Sequence, residues 1–290
     1  MLWREMISKS SDFLARKGID DGAVCTEELA ACLLCTPRSS LFAHLDSEAS
    51  QKHVDAMRRG VARLAQGEPI QYIIKNWDFR SLRLKCDKRA LIPRPETEGL
   101  VGLVLEHLRS GFPQDGAARP SVIDVGTGTG AIILSIAKEF AASAILVGTD
   151  VSEDAVALAK ENAAALGLDG KVKFAVMDGL DEFEEPALFD VIVSNPPYIE
   201  SDVIATLAPR VRDYEPRIAL DGGATGLDFY ERYLSDALNL LKPRGAVFFE
   251  IGENQGPAVE RMMREYGFAG VQIRNDLAGR NRYASGMLDS

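Results

Sequence analysis

Apolar positions in residues 1–66 recur at three- and four-residue spacing, which predicts helices. Trp3, Met6, Ile7, Phe13 and Leu14 share one face of the first. Thr26 stands where it can cap a second, with Glu27 and Glu28 near its positive end, and Thr36-Pro37 closes it. Ser47 can cap a third, stopped by Gly67 and then Pro69. The pattern changes over 70–92, where 71–79 and 81–86 read as two strands joined by a short turn. An apolar-periodic helix follows over 99–108, and the Gly and Pro content of 110–120 predicts a loop.

From residue 121 short, near-continuous apolar segments alternate with amphipathic ones. Strands are predicted at 121–125, 144–150, 171–178, 189–195 and 246–252, with helices over 131–140 and 152–167. Strands apolar on both faces and separated by helices imply a parallel sheet covered on both sides. The last two apolar segments, 271–275 and 282–288, have no helix between them, so the sheet is expected to end in an antiparallel hairpin.

Length and composition refine this without altering it. The 290 residues are 46% hydrophobic and 26% charged, the profile of a globular chain rather than a disordered or fibrous one. They exceed what one core usually fills, so two domains are expected. Charges interrupt the apolar residues of 1–10, and no apolar run approaches the ~20 residues of a membrane span, which points to the cytoplasm. Four cysteines in a chain of this size are not a disulfide framework. Cys32 and Cys35 lie in an apolar helical stretch and are expected to be reduced core residues. His44, His53 and His107 match no ligand spacing, and no metal is expected. Residues 1–95 carry a formal charge of +4 and the remainder −14, so the second part is a poor general partner for phosphate backbones.

Two segments carry chemistry. Asp124-Val125-Gly126-Thr127-Gly128-Thr129-Gly130 joins a strand to a helix, where glycines permit a tight turn and close approach of a ligand to backbone N–H groups. The spacing is not the G-x-G-x-x-G of dinucleotide sites, and such a turn alone also fits a purely structural role. Asp150, at the end of the next strand, is placed to accept both hydroxyls of a ribose, or else to cap the following helix. Asp178 ends the third strand and is placed to meet an adenine, or is a simple turn aspartate. Features at three successive strand ends favour a nucleoside ligand, and the glycine spacing favours S-adenosylmethionine over NAD.

The second segment is Asn195-Pro196-Pro197-Tyr198, after an apolar strand. An amide nitrogen is a poor nucleophile because its lone pair is delocalised into the carbonyl. The Asn195 side-chain oxygen and the Pro196 carbonyl can accept the two N–H bonds of such a group and turn the lone pair toward a methyl donor. Two prolines stiffen the loop, and Tyr198 offers a flat face to a planar amide or base. The bland reading is a proline-rich turn ending a strand.

These segments resemble the glutamine-N5 methyltransferases of peptide chain release factors, the PrmC/HemK family. The resemblance spans nearly the whole chain. It rests on residues 67–72, 91–98, 124–130 and 195–198, with Tyr214-Glu215-Pro216, Gly222-Gly223, Gly226-Leu227 and Glu250-Ile251-Gly252. It implies an α/β fold: a seven-stranded Rossmann-like class I methyltransferase domain (96–290), a small helical substrate-docking domain (1–69) and a connecting β-hairpin (70–95). It implies a cytoplasmic monomer that methylates the glutamine of the Gly-Gly-Gln loop of release factors, with no membrane and no direct nucleic-acid partner. Gly126, Thr127, Gly128, Thr129 and Gly130 would hold the methionine part of S-adenosylmethionine, Asp150 the ribose, and Asp178 with Gly179 the adenine. Asn195, which also borders the cofactor, would bind the substrate with Pro196, Pro197 and Tyr198. Asn195, Pro196 and Tyr198 would carry the catalysis. Relatives often have a large aromatic where Gly179 stands, and Glu253 replaces a tryptophan or similar residue. Arg94 and Glu96 either close one side of the site or tie the two domains by ion pairing, the tie being preferred.

Asn195–Tyr198 would equally suit an adenine or guanine amino-methyltransferase. The acidic second half and the lack of an aromatic-plus-basic RNA-binding module count against that. A non-catalytic nucleoside-binding adaptor would have no use for amide-orienting acceptors, and a dehydrogenase is disfavoured by the glycine spacing.

Overall fold

The computed structural model describes residues 1–112 and 119–289, which divide into two compact units. The first comprises residues 1–76 with 207–214, and the second residues 77–206 with 215–290.

In the first unit α1 (Trp3–Arg16), α2 (Gly22–Leu33) and α3 (Gln51–Ala65) enclose Trp3, Leu14, Leu29, Met57 and Leu64, all nearly inaccessible. α2 begins four residues before the expected cap: Thr26 lies inside the helix, and its hydroxyl donates to Gly22 O at 2.7 Å. Ser50, not Ser47, caps α3 by accepting from His53 N at 3.3 Å, while Ser47 donates to His44 O. Gly67 turns the chain at φ +91°, a conformation in which a side chain is strained. Residues 71–74, expected to begin a strand, instead fall in the short helix α4 (Ile70–Ile74) and belong to this unit. So does α8 (Pro209–Arg212), a segment far along the chain. Tyr214 Oη donates to Gln66 O at 3.0 Å, and Arg210 pairs with Asp21 at 2.6 Å. Of the free cysteines, Cys25 and Cys86 are buried, but Cys35 is exposed, contrary to the expected core position.

The hairpin is shorter than expected, β1 (Asn76–Phe79) and β2 (Leu82–Lys85), and all of it but Asn76 lies in the second unit. There α5 (Thr97–Gly111) precedes a seven-stranded sheet. Its strands are β3 (Ser121–Val125), β4 (Ile145–Asp150), β5 (Val172–Val176), β6 (Phe189–Ser194), β7 (Leu241–Glu250), β8 (Phe268–Asn275) and β9 (Asn281–Leu288). The spatial order is β5-β4-β3-β6-β7-β9-β8, parallel except for β9, which is antiparallel to both β7 and β8. α5 takes in Ser110 and Gly111, which had been expected in the 110–120 loop; residues 113–118 of that segment lie outside the described residues.

Strand residues alternate between two cores. Val122, Val191, Val193 and Phe248 pack on one face with α5 and α6 (Ala131–Glu139). Ile123, Val125, Ile192, Val247 and Phe249 pack on the other with α9 (Asp228–Leu240) and α10 (Gly256–Glu265). Both faces are buried, hence the unbroken apolar runs in the sequence. Among the described residues no helix is long and apolar enough to cross a membrane.

Asn162, on α7 (Glu153–Ala165), ties the hairpin to the glycine turn. Its Oδ1 accepts from Lys85 N at 2.7 Å, and its Nδ2 donates to Lys85 O at 3.2 Å and Thr129 O at 2.9 Å. Its exposure is 1%. Asn162→Ala leaves these backbone groups short of partners in a dry setting. It is expected to lower stability by about 2–3 kcal/mol, read as a lower midpoint in urea with an unchanged slope.

Candidate active site

The sheet reverses its winding at β3. The chain runs outward through β4 and β5, then crosses back to lay β6 on the other side of β3. In such sheets the carboxyl ends of the strands flanking this point leave a crevice. The glycine turn follows β3 and Asn195 follows β6, so the two signature segments meet there although some 65 residues lie between them. Ser194 Oγ donates to Val125 O at 2.6 Å and pins the two strand ends together.

A cavity opens at this point, lined by Gly126, Thr127, Gly128, Thr129, Asp150, Asp178, Gly179, Asn195 and Pro197. All three turn glycines have positive φ, and a Cβ at Gly126 would meet nothing within 4 Å, so the cradle beside it is open. Asp124 is fully buried beneath the turn and accepts from Thr127 Oγ1 at 2.6 Å; burial pushes its carboxyl up to about 7. Asp150 Oδ2 accepts from Gly128 N at 2.9 Å and Oδ1 from Ser152 N at 3.0 Å. The helix cap, the alternative role for Asp150, is supplied by Ser152, whose Oγ accepts from Ala155 N at 3.2 Å. Each Asp150 oxygen retains a lone pair for a further donor. Burial raises its pKa, against the two N–H bonds that lower it.

Asp178 is more exposed, at 63%, and its carboxylate is engaged by Arg232 at 2.8 Å. At Gly179, with φ +69°, a Cβ would come within 3.1 Å of the Arg232 guanidinium. An aromatic at that position is thus strained on two counts. Phe229 and Tyr233 of α9 bring aromatic rings to the same cavity, their centroids 5.8 Å apart. In the sequence they are an i, i+4 aromatic pair on an amphipathic helix, indistinguishable from core residues. Also unassigned beforehand are Ile218 and Ala219, which line the cavity from a short turn.

Pro196 and Tyr198 do not line the cavity. Pro196 is buried, and Tyr198 packs against the core cluster that includes Tyr230 and Phe249. Its hydroxyl lies 3.5 Å from Arg282 Nη1, and burial pushes its pKa up to about 12. The corner 195–198 is clamped by the glycine segment that follows. Ile199 N donates to Leu220 O at 3.0 Å and Gly222 N to Ile199 O at 2.8 Å. A Cβ at Gly222 would lie 2.7 Å from Pro197 O, and one at Gly226 2.4 Å from Tyr198 O. Those glycines therefore exist for close approach to the corner's backbone.

Arg94 also lines the cavity, and its guanidinium donates to Glu215 Oε1 at 2.6 Å; Glu215 Oε2 accepts from Ile92 N at 3.2 Å. Glu96 lies 3.4 Å from Arg280. Both ion pairs are internal to the second unit, which overturns the preferred reading of Arg94 and Glu96 as an interdomain tie. Arg94 closes a side of the cavity.

Residues 118–265 match the family described as methyltransferase domain, and residues 5–74 match the PrmC N-terminal domain. The chain is 36% identical over 278 residues to the release factor glutamine methyltransferase of Caulobacter vibrioides, covering 96% of this chain and 93% of that one. It is 38% identical over 285 residues to that of Moorella thermoacetica, covering 97% of each. The chain belongs to the release factor glutamine methyltransferase family. It is accordingly an enzyme, a methyltransferase. Solved structures agree on the fold alone. A Pyrococcus furiosus methyltransferase matches with a TM-score of 0.53 at 18% identity, over 79% of this chain and 98% of that one. The hMettl16 catalytic domain, crystallised with an RNA hairpin of the MAT2A 3'UTR, matches at 0.57 and 17%, over 86% and 84%.

Proposed function

We propose that this family member transfers a methyl group from S-adenosylmethionine to the side-chain amide nitrogen, N5, of the glutamine in the Gly-Gly-Gln loop of peptide chain release factors. The observation that carries this reading is Asn195 at the cavity edge, beside the glycine turn, in a chain whose relatives match over nearly their full length.

The cavity residues fit the cofactor. The open cradle at Gly126 suits the methionine part, and the carboxylate of Asp150 suits the two ribose hydroxyls. Phe229 and Tyr233 offer the adenine the flat surface that Gly179 cannot. When bound, the cofactor supplies an electrophilic sulfonium methyl. The protein's part is orientation. Oδ1 of Asn195, which lines the cavity, accepts one N–H bond of the acceptor amide, and the Pro196 carbonyl, outside the present lining, takes the second once the substrate loop enters, so that the lone pair twists out of conjugation and toward the methyl. As positive charge develops on nitrogen those two acceptors strengthen their hold, which lowers the barrier. Pro196 and Pro197 with the Gly222–Gly226 clamp keep the corner from relaxing, and Tyr198, packed against the core cluster rather than lining the cavity, anchors it. No general base is required, since the proton can leave after transfer. The helical unit, assigned to 1–69 with a hairpin linker to 95, would dock the release factor and deliver its loop.

The test uses labelled S-adenosylmethionine with a release factor or its loop Gln→Ala variant. Label is expected in the native factor alone. Label in both, or in neither while tRNA or rRNA is modified, would overturn the reading in favour of a different acceptor.

A further inference from the structure

Behind Asn195 a hydrogen-bond chain runs from the cavity into the sheet. Asn195 Nδ2 donates to Thr97 Oγ1 at 3.1 Å, and Thr97 donates its hydroxyl proton to Glu250 Oε2 at 2.6 Å. Thr97 is 4% exposed and Glu250 1%. Thr97 starts α5 and Glu250 ends β7, so the chain joins three segments remote in sequence.

A hydroxyl has one proton and an ionised carboxylate has none. While Glu250 is ionised, Thr97 must donate to it, and its oxygen can serve Asn195 only as an acceptor. That fixes the Asn195 amide with Nδ2 toward Thr97 and Oδ1 free for the acceptor. A protonated Glu250 permits the opposite polarity. Its O–H donates to Thr97, Thr97 donates to Asn195 Oδ1, and the amide turns over to present NH2. A group that only donates cannot receive the N–H bonds of a glutamine amide.

We infer that Glu250 is a positioning residue which, acting through Thr97, decides which atom of Asn195 faces the acceptor, so that its ionisation gates methyl transfer. This rests on the proposed function and names a residue and a regulation that the function does not itself require.

The surroundings of Glu250 allow it to titrate in the relevant range. Arg282 and Tyr283 face it from β9, Tyr230 from α9, Tyr198 from the corner, and Arg94 and Glu96 from the segment before α5. Tyr230 Oη donates to the Glu250 backbone carbonyl at 2.9 Å. Burial pushes the Glu250 carboxyl up to about 7, while the Thr97 hydrogen bond, Arg282 and Arg94 oppose that rise and Glu96 adds to it. The competent form is the deprotonated one, so turnover falls as pH drops through this value and levels off above it.

The experiment measures kcat on a release factor at saturating S-adenosylmethionine between about pH 6 and 9, for the native enzyme, Glu250→Gln, Thr97→Val and Thr97→Ser. The native enzyme is expected to show a single acid limb. Glu250→Gln should lose that limb and turn over about tenfold more slowly, near the worth of one hydrogen bond. Thr97→Val, nearly isosteric, should lose it as well, and Thr97→Ser should restore it. The KM for S-adenosylmethionine should stay within about twofold throughout. An acid limb that survives in Glu250→Gln, or native turnover in Thr97→Val, overturns the inference. A native enzyme that leaves the release factor unmodified at every pH rejects the proposed function instead.

Discussion

Asn195→Ala is expected to lower the turnover of methyl transfer by about 10²–10³-fold, the loss seen when one preorganised partner of a developing charge is removed, while cofactor affinity changes little. The reasoning is geometric. Asn195 meets the cavity at the end of β6, whereas the groups proposed to hold the cofactor belong to the ends of β3 and β4 and to α9. Removing the side chain also removes the partner of Thr97, but Thr97 keeps its bond to Glu250 and is left with no buried donor unmet. The corner itself is held by the Ser194 hydroxyl on Val125 O and by the 199–222 backbone pairing, neither of which needs the amide. The fold should therefore survive, with a circular-dichroism spectrum and unfolding midpoint close to native. Binding is read by calorimetry with S-adenosylhomocysteine and turnover by label transfer. Collapse of affinity with a retained rate would move Asn195 from the acceptor to the cofactor and dissolve the proposed mechanism.

The architecture was legible from sequence where burial imposed a period. Strands covered on both faces leave uninterrupted apolar runs, and helices between them leave amphipathic ones, so the sheet and its closing hairpin followed. Local errors came where two chemistries share one sequence signal. Ile70, Tyr72 and Ile74 are buried at alternate positions, as in a strand, yet five residues are too few to display a helical period, and the segment is α4. Thr26 and Ser47 are good capping residues by type. The helices begin elsewhere, because Thr26 bonds back to Gly22 O within its helix and Ser50 is the serine that meets a free N–H. The site was half legible. The glycine turn and the Asn195 corner are local motifs, whereas Thr97, Glu250, Phe229 and Tyr233 reach it only through tertiary folding, and no spacing rule joins residues so far apart in the chain. Arg94 misled for the same reason: its partner, Glu215, lies beyond the reach of any local pattern.

Asp150→Ala is expected to weaken cofactor affinity by at least about 10²-fold, since hydrogen bonds to a charged acceptor are worth about 1.5–3 kcal/mol each and a ribose would lose two. The same substitution should change the stability of the free protein much less. The folded-state pKa of Asp150 is raised by burial, so its contribution to stability is present at acid pH, below the unfolded value, and is lost as pH rises through the folded one. At neutral pH the ionised side chain is thus a cost to folding, and deleting it offsets part of the loss of an acceptor for Gly128 N and Ser152 N. Ligand-linked stability separates the two effects. At a cofactor concentration about 100 times the native Kd the native protein gains about 2.7 kcal/mol, whereas a variant bound 100-fold more weakly gains about 0.4 kcal/mol. The thermal shift on adding cofactor should accordingly almost vanish. Asp178→Ala is the internal comparison. That carboxylate is largely exposed and already paired with Arg232, so its loss should alter affinity by no more than a few fold. A loss of affinity in Asp178→Ala with little in Asp150→Ala would show that the third strand end, rather than the second, holds the charged contact, and the ribose would have to be reassigned.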